Sequence, residues 1–113
     1  MAIVVSRQDL IDSEGDVTFR GHKYGDSNVS FIWVEAGAGD GPRLHRHAYE
    51  EIFIVLEGSA TYTVGDETVV AKTGDIVVGP ANVPHAFVNN GPGILRQIDI
   101  HATGHILTEW LEK

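Results

Sequence analysis

The chain has 113 residues, enough for one domain that buries about 65% of its unfolded surface without staples. It contains no cysteine, which excludes disulfide scaffolds, thiolate zinc sites, iron–sulfur clusters and cysteine nucleophiles. Eight Lys and Arg against sixteen Asp and Glu leave a net charge of −8, a field that repels phosphate backbones and anionic lipid, so neither nucleic acid nor a membrane surface is an expected partner.

Residues 1–28 are the least legible part; residues 3–5 (IVV) read as an edge or exchanged strand. No basic flank followed by a long apolar stretch opens the chain, so no signal peptide is expected. The longest apolar runs, such as residues 52–56, are too short to span a bilayer, and a soluble cytoplasmic protein is the expectation. From residue 29 onward, glycine-rich turns separate short apolar runs. Residues 29–35 (VSFIWVE) are β-branched and aromatic, and AGAGDGP breaks them. Residues 51–56 (EIFIVL) end at Glu57-Gly58. Residues 60–64 (ATYTV) alternate strictly, turn at Gly65-Asp66 and pair back through 68–71. Thr73-Gly74-Asp75 turns into 76–78, Gly79-Pro80 breaks that strand, 85–88 resumes, NNGPG turns again, and 94–101 is the last strand. Strands at this spacing predict an all-β sandwich or barrel over a single domain, 1–113. In the tail, 106–112 (ILTEWLE), Ile106, Leu107, Trp110 and Leu111 fall on one helical face, which predicts a short C-terminal helix.

Six histidines carry the chemistry. His45 and His47 are two apart and project from one face of a strand, Glu51 follows four residues later, and His85 comes after Pro84. Three imidazoles and a carboxylate suit a divalent first-row metal and leave coordination positions open. His-x-His alone is weak, because a strand reading HRH is also a plain polar face. The surroundings add to it. Gly39 leads by five residues to His45, by one to His47, by three to Glu51 and by six to Gly58. Gly74 leads by five to Pro80, by one to Asn82, by two to His85 and by three to Asn89.

These two stretches, 39–58 and 74–89, resemble the two motifs of the cupin superfamily, in its small single-domain form, and the 15 residues between them match its short spacing. The resemblance implies a double-stranded β-helix, or jelly roll. It also implies a metal held by His45, His47, Glu51 and His85. The family has Gly where this chain has Asn82; Asn is the non-glycine residue best able to take positive φ in a turn, so the turn is expected to survive. Of the adjacent acids, the family spacing selects Glu51, and strand parity agrees if Glu51, Phe53 and Val55 face inward while Glu50 faces out.

Parity with the ligands nominates Phe53, Val55 and Phe87 as an apolar wall, with Trp33 or its neighbours adding an aromatic side. Arg43 shares the parity of His45, whereas Arg46 turns outward. His22 reads as a solvated loop residue and His105 as surface or capping. On the last strand Ile98 and Ile100 compete with Gln97, Asp99 and His101 for the buried side, which favours a structural reading of His101. If the polar face turns inward, His101 and Gln97 become contacts around the metal or substrate. Tyr49 and Tyr62 are conceivable acid–base groups that spacing does not single out.

The implied cofactor is one divalent transition-metal ion per chain, with manganese, iron, nickel, cobalt, copper and zinc all compatible. The expected function is that of a metal-dependent, dioxygenase-like enzyme on a small oxygenated organic substrate. The alternatives are a non-redox isomerase, lyase or cyclase, and a non-enzymatic small-molecule-binding barrel. No Lys or Arg in the motif cores marks a phosphate site, no helix–turn–helix is read, and no nucleophile elbow supports a serine hydrolase. The resemblance also implies a homodimer, by exchange or pairing of edge strands.

Overall fold

Alternation along the strands decides which side chains enter the interior. The computed structural model describes residues 2–112. Its strands are β1 (Val17–Phe19), β2 (Ser30–Ala36), β3 (His45–Arg46), β4 (Glu51–Glu57), β5 (Ser59–Val64), β6 (Glu67–Lys72), β7 (Ile76–Gly79), β8 (His85–Asn89), β9 (Leu95–His101) and β10 (Glu109–Trp110). The runs read from sequence fall on β2 and β4 to β9 within one residue at each end. Two five-stranded antiparallel sheets result, ordered β1-β2-β9-β4-β7 and β10-β3-β8-β5-β6, the jelly roll expected. Gly65, at φ 59°, opens the two-residue hairpin between β5 and β6, and Val64 pairs with Glu67 across it.

Between the sheets lies a core of Phe53, Val55, Ala60, Tyr62, Ala71, Phe87 and Leu95. It occupies one end of the barrel only. On β9 the inward residues run Leu95, Gln97, Asp99, His101, and on β4 they run in the opposite direction, Val55, Phe53, Glu51. Antiparallel register therefore sets Val55 beside Gln97, Phe53 beside Asp99 and Glu51 beside His101. One end of the interior is apolar and the other is polar. The backbone positions expected to hold this end in place do so: Asn82 takes φ 65° and donates its N–H to the His47 carbonyl at 2.7 Å.

Three sequence expectations are corrected. The tail is not helical: β10 pairs with the free edge of β3, Arg46 grips Glu109 through two hydrogen bonds of 2.8 and 3.0 Å, and Leu44 N–H reaches the Glu112 carboxylate at 2.6 Å. A helix of one or two turns is marginal alone, and an unpaired strand edge offers these residues more partners. Leu107, on the expected buried face, is 74% exposed. Residues 3–5 form no strand; the first regular element is a 3-10 turn at Arg7–Leu10, capped by Ser6. His22 is half-buried, with Nδ1 2.9 Å from the Gly104 carbonyl and its ring stacked on His105. Among the described residues no helix is long and apolar enough to cross a membrane.

The loop before β3 passes so close to β8 that Gly41 has no room for a side chain: a Cβ there would stand 1.8 Å from the Phe87 carbonyl oxygen. Gly41→Ala is expected to lose about 2 kcal/mol or more of unfolding free energy in urea titration, because the atoms of Phe87 and Val88 that the new Cβ meets are backbone and cannot rotate aside.

Candidate metal centre

Each of the four residues nominated as ligands arrives from a different local arrangement. His45 begins β3, His47 follows it, Glu51 begins β4 and His85 begins β8. All four are buried, and one ligand atom from each lies within 4.8 Å of the others. His45 stands opposite His85 in the β3–β8 register, their rings 4.4 Å apart at the centroids.

The three histidines share a feature that spacing does not reveal. In each, Nδ1 faces a backbone carbonyl: Arg43 at 2.7 Å from His45, Leu107 at 2.8 Å from His47 and Val83 at 3.2 Å from His85. Those carbonyls only accept, so in a neutral ring the proton sits on Nδ1 and the lone pair on Nε2. The Nε2 atoms of His47 and His85 each lie 3.0 Å from the same Glu51 oxygen, Oε1. Lone pairs facing a carboxylate oxygen at that distance repel unless a cation or a proton lies between them. His47 Nε2 is also buried without a hydrogen bond of acceptable geometry. The donor set and its tautomers fit a metal ion.

Electrostatics point the same way. Burial works to raise the Glu51 carboxyl, yet the imidazoles of His101, His47 and His85 around it outweigh burial and hold it well below the usual carboxylate range. Burial, joined by the nearby His85, takes His45 below its ordinary value against the pull of the Arg43 carbonyl. At His47 burial is outweighed by Glu51 and the Leu107 carbonyl, and the ring is raised.

Behind this group sits a second layer. The β9 polar face turns inward, so the preference for Ile98 and Ile100 is corrected: Gln97, Asp99 and His101 are buried and the isoleucines face out. His101 Nε2 lies 3.2 Å from the other Glu51 oxygen, Oε2, and its Nδ1 shares a 2.8 Å hydrogen bond with the Tyr49 hydroxyl. The same hydroxyl is 3.1 Å from His47 Nδ1. Burial pushes Tyr49 up to about 12, so it remains a donor at neutral pH.

A cavity of about 340 Å³ opens beside the four residues. Phe87 lines it, as does His101 now that the polar face of β9 is inward, and Ile32, Val34 and Ala36 form its wall. Trp33 does not line it: it is the outward neighbour of Ile32 and Val34, with the Arg7 guanidinium 5.4 Å over its ring. Arg43 is exposed and lies over the Trp110 ring, outside the cavity. Phe53 and Val55 lie deeper, in the core, Phe53 edge-on to His85. Gln97 is fully buried and donates to Asp99 at 2.7 Å. Sequence reasoning left out Asp99 and Trp110. Asp99 shares the parity of His101, which was the available signal, whereas Trp110 reaches the cavity only because the tail is extended.

A jelly roll with three inward histidines and a glutamate at its open end defines a metal-site barrel of the cupin class. The chain belongs to the cupin family: the Cupin_2 model, "Cupin domain", matches residues 30–101. The transcriptional regulator PuuR of Escherichia coli is 30% identical over 105 residues, which cover 88% of this chain and 56% of PuuR. An uncharacterized protein of Streptomyces coelicolor is 37% identical over 60 residues, 53% of this chain and 55% of that protein. The chain thus spans a little over half the length of the curated relatives it matches. Among solved structures, Bacillus subtilis oxalate decarboxylase, studied for its Mn(II) centres, superposes with a TM-score of 0.79 at 23% identity, over 89% of this chain and 29% of that one. A double-stranded β-helix protein of Klebsiella pneumoniae superposes over the whole of both chains, with a TM-score of 0.75 and 21% identity. At these identities the structural likeness is one of fold.

Burial, and then the charge of Glu51, push Asp99 well above its ordinary value. The folded protein therefore keeps a proton that the unfolded chain releases near pH 4, and stability falls as pH rises from there toward the folded value. Asp99→Asn removes this contribution. In thermal denaturation under chelator, the variant is expected to gain on the parent as pH rises above about 4, by at most about 1.4 kcal/mol per pH unit.

Proposed function

We propose that His45, His47, Glu51 and His85 hold one divalent transition-metal ion and that the adjoining cavity takes a small oxygenated organic molecule. The convergence of Nε2 lone pairs on Glu51 Oε1, with each Nδ1 fixed by a backbone carbonyl, carries the reading. Such an ion, when bound, supplies Lewis-acid polarisation of a chelating oxygen pair or one-electron chemistry beside dioxygen. The protein's own groups do the rest. His101 and Tyr49 hold the far side of Glu51, and the Ile32–Val34–Ala36 wall limits water on one side of the cavity. Tyr49, bonded to His101, is the nearest hydroxyl able to relay a proton through that ring. This arrangement supports a metal-dependent, dioxygenase-like enzyme.

A second reading has one observation in its favour. The likeness to PuuR covers most of this chain, and PuuR is a regulator, so the barrel could serve as a ligand-binding module in which the metal holds the ligand without turnover. Oxygen uptake with catechol-like and diketone substrates separates the two.

Metal analysis of untagged protein is expected to give about one equivalent, lost in His47→Ala, while Tyr49→Phe retains metal at roughly tenfold weaker affinity. No metal in the parent after reconstitution overturns the reading. Affinity falls with pH, because His47 is raised and must surrender a proton to an incoming ion. Metal is expected to be lost as pH falls below about 6.

The outer face of the first sheet supports a homodimer. Cross-strand register lines up Phe31, Ile100, Ile52 and Val78 in one outward row and Trp33, Ile98, Ile54 and Ile76 in the next. Ile76 is 63% exposed and Val78 52%. Antiparallel sheets with one face to water are commonly polar on that face. The bordering charges, Arg7, Glu35, Arg96 and Glu57, neutralise one another within the chain. A flat apolar face with an internally paired rim is self-complementary. Five strands span about 24 Å, a width that suits the roughly 800 Å² per partner of a stable interface. We propose that a second copy packs face to face here. Light scattering at micromolar concentration is expected to give a dimer, and Ile76→Lys with Ile98→Glu a monomer that still binds metal. A monomeric parent overturns it.

A further inference from the structure

The C-terminal segment is held by little and touches the metal centre directly. From Leu107 to Glu112 no residue is buried, and none belongs to the core between the sheets. Its hold on the barrel is the two-residue pairing of β10 with β3, the exposed Arg46–Glu109 ion pair, the Arg43 guanidinium over Trp110, and the Leu44 backbone. The Leu44 N–H donates to the Glu112 carboxylate at 2.6 Å, and its carbonyl accepts from Leu111 N–H at 3.0 Å and Glu112 N–H at 3.3 Å. Exposed contacts of this kind contribute little each, so such a segment opens locally while the barrel stays folded. Inward, its Leu107 carbonyl lies 2.8 Å from His47 Nδ1, the Trp110 ring stands 4.9 Å from the His45 ring, and Thr108 and Trp110 form one side of the cavity.

Building on the metal reading, we infer that residues 107–112 are a strap whose docking on β3 is coupled to the ion. The docked strap positions His47 and His45, and an ion on His45, His47, Glu51 and His85 tightens the strap. Three influences act in the same direction. The Leu107 carbonyl accepts from His47 Nδ1–H and so keeps the Nε2 lone pair turned to the centre; with the strap lifted, His47 keeps only the Tyr49 hydroxyl, which it shares with His101. An ion on Nε2 draws electron density from the ring and makes Nδ1–H a stronger donor to that carbonyl. The ion's charge favours docking as well, because residues 107–112 carry Glu109 and Glu112 and no Lys or Arg. Lifting the strap takes Glu109 from Arg46 and leaves that cation unmatched between two ligands. The coupling is reciprocal: docking raises ion affinity by the same factor by which the ion strengthens docking.

Amide exchange followed by NMR with and without Zn(II), at about pH 8, above the ordinary imidazole range, reads the docking at Leu111 N–H. Thr73 N–H, bonded to the Gly58 carbonyl at 3.0 Å at the apolar end of the barrel, reports any stabilisation of the whole fold. Saturating Zn(II) is expected to slow Leu111 at least about tenfold more than Thr73. Leu111→Pro removes that N–H without changing charge or the cavity lining, and is expected to weaken Zn(II) binding by a similar factor, about tenfold or more. Leu111→Ala keeps the N–H and is expected to bind Zn(II) within about twofold of the parent. The exchange measurement needs no variant, which keeps the test open if the proline variant does not fold. Zn(II) bound with Leu111 slowed no more than Thr73, or a folded Leu111→Pro binding as tightly as the parent, overturns the inference and leaves the metal reading standing. A parent that binds no Zn(II) overturns both.

Discussion

A carboxylate buried among imidazoles is the constraint around which the rest of this barrel is arranged. Glu51 is 2% exposed, and removing a charge from water this completely is costly unless partners replace the solvent on every side. Here they do so from several directions. His47 and His85 meet Oε1, and His101 meets Oε2. His47 is a near neighbour of Glu51 in sequence, but His85 and His101 come from distant strands, one in each sheet, so the full environment exists only when both sheets have closed. Formation of the site and closure of the fold are one event, and a cation at the centre would stabilise both.

The interior is graded to allow this. At one end Leu95, Val55, Tyr62 and Phe87 supply the apolar burial that holds the sheets together. Toward the other, Gln97 and Asp99 pass from the core to the histidines without leaving either polar group unsupported from behind. The extended tail finishes the polar end. Its Leu107 carbonyl fixes the His47 tautomer, Trp110 stands 4.9 Å from the His45 ring, and its pairing with β3 anchors both. A helix at the same place would present neither the carbonyl nor the ring.

Charge is distributed with equal consequence. Outside, acids are matched by arginines in the Arg7–Glu35–Arg96–Glu57 row and in the Arg46–Glu109 pair. Inside the cavity Glu51 is matched by imidazoles and Asp99 by the Gln97 amide. The arginines are spent on the exterior, which is why the chemistry of the cavity depends on what an ion and a ligand bring to it.

Most strands, the inward parity of Glu51, Phe53 and Val55, the positive φ of Asn82 and the grouping of His45, His47, Glu51 and His85 were legible in the sequence. Period-two alternation, glycine turns and motif spacing are local properties, and those features follow from them. The face of β9 was not legible. Gln97, Asp99 and His101 alternate with Ile98 and Ile100, and either set can go inward by local rules; the winner was decided by Glu51, across the sheet, needing a partner, and by an outer face where isoleucines find one another. Trp33 lost the cavity to Ile32 and Val34 through the same parity. The tail could not be read because its helical spacing is real and only the unpaired edge of β3, brought near by folding, overrides it. Sequence by itself determined which residues could bind an ion. Tertiary structure alone decided which side of each strand faces the ion, because that choice depends on partners many residues away.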